Sequence, residues 1–234
     1  MNNKSRKPPL PIPKIVTLAA PPPGFRDPHI QSAVSHLEKA HRPLRDIIRR
    51  VGQFEPALVA SPFHALVGSI IHQQVSMAAA RSMQRKLKAA CPGGRITPAA
   101  LLSLTEEQYR AAGISRQKRG YLIDIGKRFA DGELKPRQLK ALDDEAVIAA
   151  VTQIKGVGRW TAEMLLMFSL QRWDVWPIGD LGLRKAIERV HANGKTLDKD
   201  KLMAVGEPLR PYRSVATWYL WRSLENPIKP SISG

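Results

Sequence analysis

Apolar residues recur along most of this chain at intervals of three and four, the spacing that places them on one face of a helix. Two clear segments of this kind contain the series Ile30, Val34 and Leu37, and the series Leu44, Ile47, Ile48 and Val51. A convincing alternation of apolar and polar residues, which would indicate half-buried strands, is absent. The hydrophobic pattern therefore predicts an all-α protein.

Residues that favour the start of a helix precede most of these segments. They are Asp27-Pro28, Pro43, Ser61-Pro62, Ser76, Thr97-Pro98, Thr105, Ser115 and Asp143. Side chains of Ser, Thr and Asp accept hydrogen bonds from the free N–H groups of a first helical turn, and proline fits that turn. Thr105 followed by Gln108 also matches a capping box. These signals divide the chain into many short helices.

The stretch from Thr152 to Asp180 has the most distinctive pattern. It predicts a helix end, a tight turn at Gly156 and Gly158, a helix over residues 159–170, an extended connector and a lone carboxylate. Glycine allows a positive φ and lets another molecule approach the backbone, and a helix N-terminus attracts anions. The turn is therefore either a phosphate-binding hairpin or a glycine C-cap between two packed helices.

Charge limits the possible partners of the protein. The 234 residues include 37 Lys and Arg against 20 Asp and Glu, for a formal net charge of +17. Such an excess favours a polyanion, most simply nucleic acid, although an anionic membrane surface also fits. No apolar run reaches the length of about 18 residues that a membrane span needs, which excludes an integral membrane protein.

The metal-binding residue types are sparse. Cys91 is the only cysteine, so the chain has neither an internal disulfide nor a four-cysteine iron–sulfur cluster. The six histidines show no spacing typical of metal ligands.

Both ends of the chain differ in composition from the middle. Residues 1–28 hold eight prolines, five Lys or Arg and one acid, which predicts a disordered basic tail that adds non-specific DNA affinity. Residues 29–227 are expected to form the folded domain, and residues 228–234 a short C-terminal tail.

Five segments are each weak signals alone, but their order along the chain is a specific signal. They are SIIHQQVSMAAA, GISRQKRGYLIDIG, IKGVGRWTAEM, WPIGDLGLRKA and PYRSVATWYLWR. Together they resemble the helix-hairpin-helix (HhH-GPD) DNA glycosylase superfamily, and within it the 3-methyladenine DNA glycosylase II, or alkylbase, branch. The resemblance covers roughly Ser61 to Glu225.

The resemblance implies two helical subdomains that flank a cleft for the damaged base. Residues 76–175 would form one subdomain, and residues 29–75 with 176–227 the other. Some relatives carry an N-terminal β-rich domain, but because only sixty residues precede Ser61 here, we expect none in this sequence.

Asp180 is the expected catalytic residue. Hydrolysis of an N-glycosidic bond builds positive charge on the sugar, which a carboxylate stabilises while it orients or deprotonates water. An Asp before a helix is also an ordinary N-cap, and the two roles are compatible.

Trp160 decides between two reaction types. Members of the superfamily that also cleave the DNA backbone have a lysine nucleophile at this position, and an indole cannot form a Schiff base. The resemblance therefore implies a monofunctional enzyme that leaves an abasic site. Lys155 is expected to face phosphate or solvent rather than to act as a nucleophile.

Trp160 and Trp221 match aromatic residues that line the base pocket of the family, and Met164 replaces a further aromatic. Alkylation at N3 or N7 makes a purine cationic, and indole rings attract such a cation by up to about 2 kcal/mol when it is desolvated. The alternative for Trp221 is simple core packing beside Trp218 and Leu220.

The remaining site residues contact DNA. Base chemistry requires extrusion from the duplex, and the intercalating wedge of the family falls on Gln74, which is otherwise a polar turn residue. The amides of Gly156 and Gly158 would hold a phosphate, and carbonyls of Thr152, Ile154 and Gly156 could bind a Na⁺ or K⁺ ion. Further phosphate contacts are predicted at Lys155, Arg159 and Arg213, each of which could instead be an ordinary surface charge.

These inferences predict a monomeric base-excision-repair enzyme that removes 3-methyladenine, and also 7-methylguanine, from double-stranded DNA without a required cofactor. It would act in the bacterial nucleoid or the eukaryotic nucleus. The alternatives are an enzyme of the same fold for deaminated or oxidised bases, a non-enzymatic hairpin DNA-binding module, and a basic membrane-surface protein.

Overall fold

The computed structural model describes residues 24–26 and 28–225, and within them the secondary structure is helical, with no strand. None of these helices is long and apolar enough to cross a membrane. The helices are α1 His29–Ala40, α2 Arg42–Val51, α3 Pro62–His72, α4 Met77–Ala90, α5 Pro98–Ser103, α6 Glu106–Ala111, α7 Arg116–Ala130, α8 Pro136–Ala141, α9 Asp144–Val151, α10 Arg159–Phe168, α11 Leu181–Ala192, α12 Lys199–Gly206 and α13 Arg213–Glu225. The all-α prediction is confirmed.

Most of the predicted helix starts are confirmed by side-chain caps. The residues whose side chains accept a backbone N–H at the start of a helix include Ser76, Thr97, Thr105, Ser115, Asp143 and Asp180. Both halves of the capping box of Thr105 and Gln108 are present. For α1, Asp27 lies outside the described residues, and Pro28 occupies the N-cap position.

Two helices, α8 and α12, were not predicted from the sequence. Helix α8 has six residues and only one buried apolar side chain, Leu139, so it has no periodic pattern to detect. Helix α12 is capped by Asp198, but it buries only Leu202 and Gly206.

The helices pack around two hydrophobic clusters. The first extends from Phe63 in α3 to Val175 after α10. The second combines Phe25 to Phe54 with Trp176 to Leu220, and so joins α1 and α2 to α11, α12 and α13. The chain therefore passes from one cluster to the other between Val175 and Trp176, five residues before Asp180.

The observed grouping differs from the predicted division in the place of α3. We predicted a boundary between Val75 and Ser76, but α3 packs against α4, α7 and α10 and belongs to the first cluster. The reason is that α3 is apolar on most of its surface, with the buried residues Pro62, Phe63, Leu66, Val67, Ile70 and Ile71. The segment between Phe54 and Phe63 is the other crossing between the clusters.

Phe25 packs in the second cluster although it falls within the predicted tail of residues 1–28. Its ring lies edge-on to Phe54, with centroids 5.3 Å apart, and to Trp173, with centroids 4.9 Å apart. Its backbone N–H donates to the Gln171 side chain at 2.9 Å. The packed chain therefore begins before α1.

Candidate active site

Asp180 caps the helix α11 at the place where the two clusters meet. Its Oδ2 atom accepts a hydrogen bond from the Leu183 N–H at 2.6 Å, and its own N–H donates to the Pro177 carbonyl at 2.8 Å. The N-cap role that the sequence allowed is therefore present. It fixes the orientation of the carboxylate, because one oxygen is held against the helix end.

Two indole N–H groups donate to the same carboxylate. Trp160 Nε1 lies 2.9 Å from Asp180 Oδ1, and Trp221 Nε1 lies 2.8 Å from Asp180 Oδ2. Trp160 stands in the first turn of α10 and Trp221 in α13, so side chains from two helices converge on the acid that caps a third. All of these partners are donors, which suits a carboxylate that only accepts. These three residues were predicted as site residues from the family resemblance, and in the structure they are in contact.

Gly182 makes the approach of Trp221 to Asp180 possible. A Cβ atom at this position would lie 3.0 Å from Asp180 Oδ2 and 3.1 Å from Trp221 Cδ1, which is closer than ordinary contact. Gly182 was not predicted from the sequence, although the segment GDLG contains a glycine inside the first turn of a helix, where glycine is otherwise unfavourable.

The two indoles are available to a ligand to different degrees. The side chain of Trp160 is 46% exposed. Trp221 is half-buried and lies over Phe168, with centroids 6.0 Å apart and planes inclined by 25°. Because Trp221 is not among the buried residues while Trp218 and Leu220 are, its helix turns it towards the carboxylate rather than into the second cluster.

One face of α10 carries the apolar residues of this site. Trp160, Met164 and Phe168 follow at intervals of four, so they share a side of the helix. Met164 and Phe168 are half-buried against the first cluster. Phe168 was missed from the sequence, although its spacing from Trp160 could have indicated it.

Arg159 is held by two acids beside the indole cluster. Its guanidinium makes a two-point contact with Glu145, with Nη1 3.0 Å from Oε2, and its Nε lies 3.1 Å from Glu163 Oε1. These contacts raise the pKa of Arg159, and the hydrogen bond from Arg159 lowers the pKa of Glu145. Burial raises the pKa of Glu163 despite the neighbouring Arg159. The predicted phosphate contact of Arg159 would therefore compete with both carboxylates.

A cavity of about 580 Å³ opens next to this ion pair. Its walls include Arg159, Trp160, Glu163, Ile178 and Gly179, but neither Asp180 nor Trp221. It adjoins the indole and carboxylate cluster through Trp160 and the connector before α11.

The burial and ion pairing of Arg213 contradict the prediction that this residue contacts phosphate. Its side chain is only 9% exposed, and its Nε lies 2.6 Å from Asp174 Oδ1. Its Nη2 also donates to the Asp174 backbone carbonyl at 2.9 Å. The guanidinium is therefore an internal tie between the connector and α13 rather than a free surface cation.

The predicted glycine turn joins α9 to α10. Gly156 has a φ of +81°, and a Cβ atom there would lie 2.3 Å from the ring of Tyr121, so only glycine fits. Gly158 is the extended N-cap of α10, and space around its missing Cβ is open. The side chain of Lys155 is exposed, and its backbone N–H donates to Asp124 at 2.9 Å.

Gln74 lies exposed in the turn between α3 and α4. It has a φ of +56°, a left-handed conformation that non-glycine residues adopt rarely. The neighbouring Met77, at the start of α4, is 59% exposed. Gln73, which the sequence analysis did not select, donates its Nε2 to the Gly156 carbonyl at 2.9 Å.

Comparison with known proteins agrees with this arrangement. Residues 67–211 match the family described as HhH-GPD superfamily base excision DNA repair protein. The chain is 30% identical over 211 residues to DNA-3-methyladenine glycosylase 1 of Schizosaccharomyces pombe, covering 86% of this chain and 92% of that protein.

Two solved structures are also similar. One is the 3-methyladenine DNA glycosylase of Schizosaccharomyces pombe in complex with abasic DNA, with a TM-score of 0.75, 31% identity and coverage of 83% of this chain and 97% of that one. The other is a DNA-3-methyladenine glycosidase from Bacillus halodurans, with a TM-score of 0.73, 32% identity and coverage of 86% and 90%.

The family match and the similar structures agree with the features described above, which are a helical fold with two clusters, a glycine hairpin and a capped carboxylate between them. The family match covers more than half of the chain, and this protein therefore belongs to the HhH-GPD superfamily of base excision DNA repair proteins.

Proposed function

We propose that this protein is a monofunctional DNA glycosylase that hydrolyses the N-glycosidic bond of alkylated purines, 3-methyladenine and 7-methylguanine, and leaves an abasic site. The observation that carries this proposal is the Asp180 carboxylate with Trp160 and Trp221 hydrogen-bonded to it. The names of the similar proteins, which are 3-methyladenine glycosylases, support the substrate class.

Asp180 would act on the sugar and on water. As the base departs, positive charge develops on the sugar, and the nearby carboxylate stabilises it. Oδ2 is already held by Leu183 and Trp221, whereas Oδ1 accepts only from Trp160 among the described hydrogen bonds. Oδ1 therefore keeps acceptor capacity for a proton of the attacking water.

The indoles would select a cationic base. Their N–H groups lie in the ring planes and point at Asp180, so these hydrogen bonds do not occupy the ring faces. The exposed Trp160 can offer a face to a ligand, whereas one face of Trp221 already lies over Phe168. An alkylated purine carries positive charge, which indole faces attract by up to about 2 kcal/mol when desolvated. The same charge makes the base a good leaving group, so a dedicated general acid is unnecessary.

The absence of a lysine at position 160 favours hydrolysis without backbone cleavage. A Schiff base requires an amine at the sugar. Lys155 belongs to the hairpin, and its backbone is tied to Asp124 on α7.

Double-stranded DNA would contact the hairpin and the turn that contains Gln74. Gly158 stands at the N-terminus of α10, where free N–H groups and the helix dipole favour a phosphate, and Lys155 adds an exposed cation. Gln74 would fill the space left by the extruded base. Such an enzyme would work where the genome is, in the nucleoid or the nucleus.

The hairpin carbonyls suit a monovalent cation in ligand type, since Na⁺ and K⁺ prefer oxygen ligands. Ile154 O accepts one hydrogen bond from Val157 N at 3.1 Å, and Gly156 O accepts one from Gln73. Each carbonyl has a second lone pair, so these two oxygens, with that of Thr152, would hold the ion and supply positive charge for a phosphate.

The experiment that tests the proposal uses DNA treated with a methylating agent. We expect the wild-type protein to release 3-methyladenine and 7-methylguanine and to produce strand breaks only after alkali. Asp180→Asn should release neither base above background. Breaks without alkali would reveal a lyase.

The remaining outcomes decide between the alternatives. Intact DNA binding with no release of methylated bases would refute the alkyl-purine assignment. Release of deaminated or oxidised bases instead would identify another substrate class, and no release of any base would leave a binding module.

A further inference from the structure

One face of α7 supports the glycine hairpin. The residues on this face are Lys118, Tyr121, Asp124 and Arg128, whose spacing of three, three and four aligns them along the helix. The Tyr121 ring lies directly under Gly156, where a Cβ atom would collide with it. Asp124 accepts the Lys155 N–H at 2.9 Å, and Arg128 donates to the Gln153 carbonyl at 3.1 Å.

The same face of α7 also supports the turn between α3 and α4. Lys118 Nζ donates to the Ile71 carbonyl at 2.7 Å, in the last turn of α3. This bond satisfies a carbonyl that the helix leaves without an intrahelical partner. Burial lowers the pKa of Lys118, which agrees with its half-buried position.

Gln73 connects the two supported segments directly. Its side chain leaves the α3–α4 turn and donates Nε2 to the Gly156 carbonyl, 2.9 Å away. Gln73 immediately precedes Gln74, whose φ of +56° persists only where surrounding contacts determine it. The turn is therefore held by two hydrogen bonds, one from Lys118 to the end of α3 and one from Gln73 to the hairpin.

We infer that Gln73 is a positioning residue that fixes the distance between the base-extruding turn and the phosphate-binding hairpin. The inference rests on the proposed function. If Gln74 fills the vacated stack while the hairpin holds a backbone phosphate, both segments must be in register with one DNA strand. The bond from Gln73 to Gly156 and the shared face of α7 set that register before DNA arrives, so little reorganisation is needed.

The test changes only the connecting bond. Gln73→Ala removes the donor, and Gln73→Glu keeps the shape but places an acceptor against the Gly156 carbonyl oxygen. The matched control is Gln138→Glu on α8, an exposed glutamine that undergoes the same change of charge. Single-turnover release of 7-methylguanine is measured from a duplex with the lesion paired to cytosine, and from one whose partner nucleotide lacks a base.

Extrusion costs less in the second duplex, because the lesion is not paired there. We expect Gln73→Ala and Gln73→Glu to release the paired base roughly tenfold more slowly than wild type, and the unpaired base within about twofold of wild type. Gln138→Glu should match wild type on both. Equal losses on both duplexes, or no loss on the paired one, would overturn the inference.

A second measurement does not depend on base release. A duplex with an abasic analogue opposite 2-aminopurine becomes more fluorescent when a side chain unstacks the reporter. We expect a smaller rise at saturating protein for both Gln73 variants than for Gln138→Glu, with unchanged thermal unfolding. An unaltered rise would overturn the role of Gln73 even if the wild-type protein released no methylated base, which would be a failure of the proposed function alone.

Discussion

At the scale of single residues, the carboxylate of Asp180 combines a structural and a chemical role. The helix N-terminus and Trp221 hold one oxygen, and the exposed Trp160 meets the other. A group held from several directions loses little freedom when a substrate arrives, so its charge is already oriented. The structural cap therefore assists the chemistry that we propose.

Asp180→Asn should separate the two roles. Asparagine is as good an N-cap as aspartate, and with its oxygen towards Leu183 and Trp221 its NH2 group would displace only the hydrogen bond from the exposed Trp160, so we expect thermal unfolding to change little. The negative charge is lost, and base release should fall by roughly 10²- to 10⁴-fold in single-turnover assays. A large loss of stability would instead mean that the charge is needed for folding.

Gly182→Ala should disturb the packing around Asp180 while leaving the carboxylate itself in place. The added methyl group would press on Asp180 Oδ2 and Trp221 Cδ1, so the indole must move away. We expect slower base release and altered tryptophan fluorescence. Gly179→Ala is the matched control, because a Cβ atom there meets nothing within 4 Å and φ is not positive. Equal behaviour of the two variants would contradict this account.

At the scale of elements, the hairpin depends on Tyr121 beneath Gly156. Gly156→Ala combines a positive φ with a collision, and we expect it to lower the free energy of unfolding by about 1–3 kcal/mol. Gly158→Ala meets open space at an extended backbone, so its stability should be close to that of wild type. Urea unfolding measures both. If DNA approaches the backbone at Gly158, this stable variant should nevertheless bind duplex more weakly.

The start of α2 and the end of α11 meet at a pair of histidines. His41 Nδ1 accepts the Leu44 N–H at 3.0 Å, so its Nε2 carries the proton and donates to His191 Nε2 at 2.9 Å. Burial, with the nearby His191, lowers the pKa of His41 to about 4. Burial also lowers the pKa of His191.

This pair should make stability depend on pH. Between the ordinary pKa of about 6.5 and the folded value, the unfolded chain binds a proton that folded His41 does not, so stability falls as the pH drops through this window. His41→Asn keeps an N-cap but cannot titrate. We expect a smaller loss of stability between pH 7.5 and pH 5 for this variant, measured by urea unfolding. An unchanged pH profile would exclude His41 as the cause.

The features that could be predicted from the sequence are those that depend on residues close together in the chain. The caps at Thr105 and Asp180 depend on residues within one turn, and the hairpin depends on two glycines, so each could be predicted from neighbours alone. The pairing of Arg213 with Asp174 joins residues far apart in the chain, and nothing near Arg213 distinguishes a buried arginine from an exposed one.

Tertiary contacts also decided the features that the sequence analysis missed. The assignment of α3 to the first cluster follows from its packing on α7 and α10, and the roles of Gly182 and Gln73 follow from side chains that approach them from other helices. Motif order predicted which residues meet at Asp180 because the resemblance carried that information, not because the spacing did.

At the scale of the whole molecule, the positive charge is not evenly neutralised. A groove of about 640 Å³ lies between α4 and the loop that precedes α5, and it is lined by Arg81, Arg85, Lys88 and Arg95. None of these four cations forms an ion pair with a carboxylate among the described residues. On α4, the first three follow at intervals of four and three, so they share one face.

Removing the cations of this groove should weaken DNA binding and reduce the dependence of the binding constant on salt concentration. Each phosphate contact contributes about 0.9 to the slope of log K against log salt concentration. Changing Arg81, Arg85 and Lys88 to glutamine should therefore lower the slope by up to about 2.7 if all three meet phosphates. The control changes the exposed residues Lys39, Arg42 and Arg50, which removes the same charge from α1 and α2.

The comparison of these two variants shows whether the groove contacts DNA directly or whether the net positive charge attracts DNA without a specific contact. If only the groove variant has a lower slope on long duplexes, the groove touches the backbone. On a duplex shortened until it no longer reaches the groove, that difference should disappear. If both variants lose the same affinity, the net charge of +17 acts as a diffuse attraction, and no single surface outside the cleft contacts DNA.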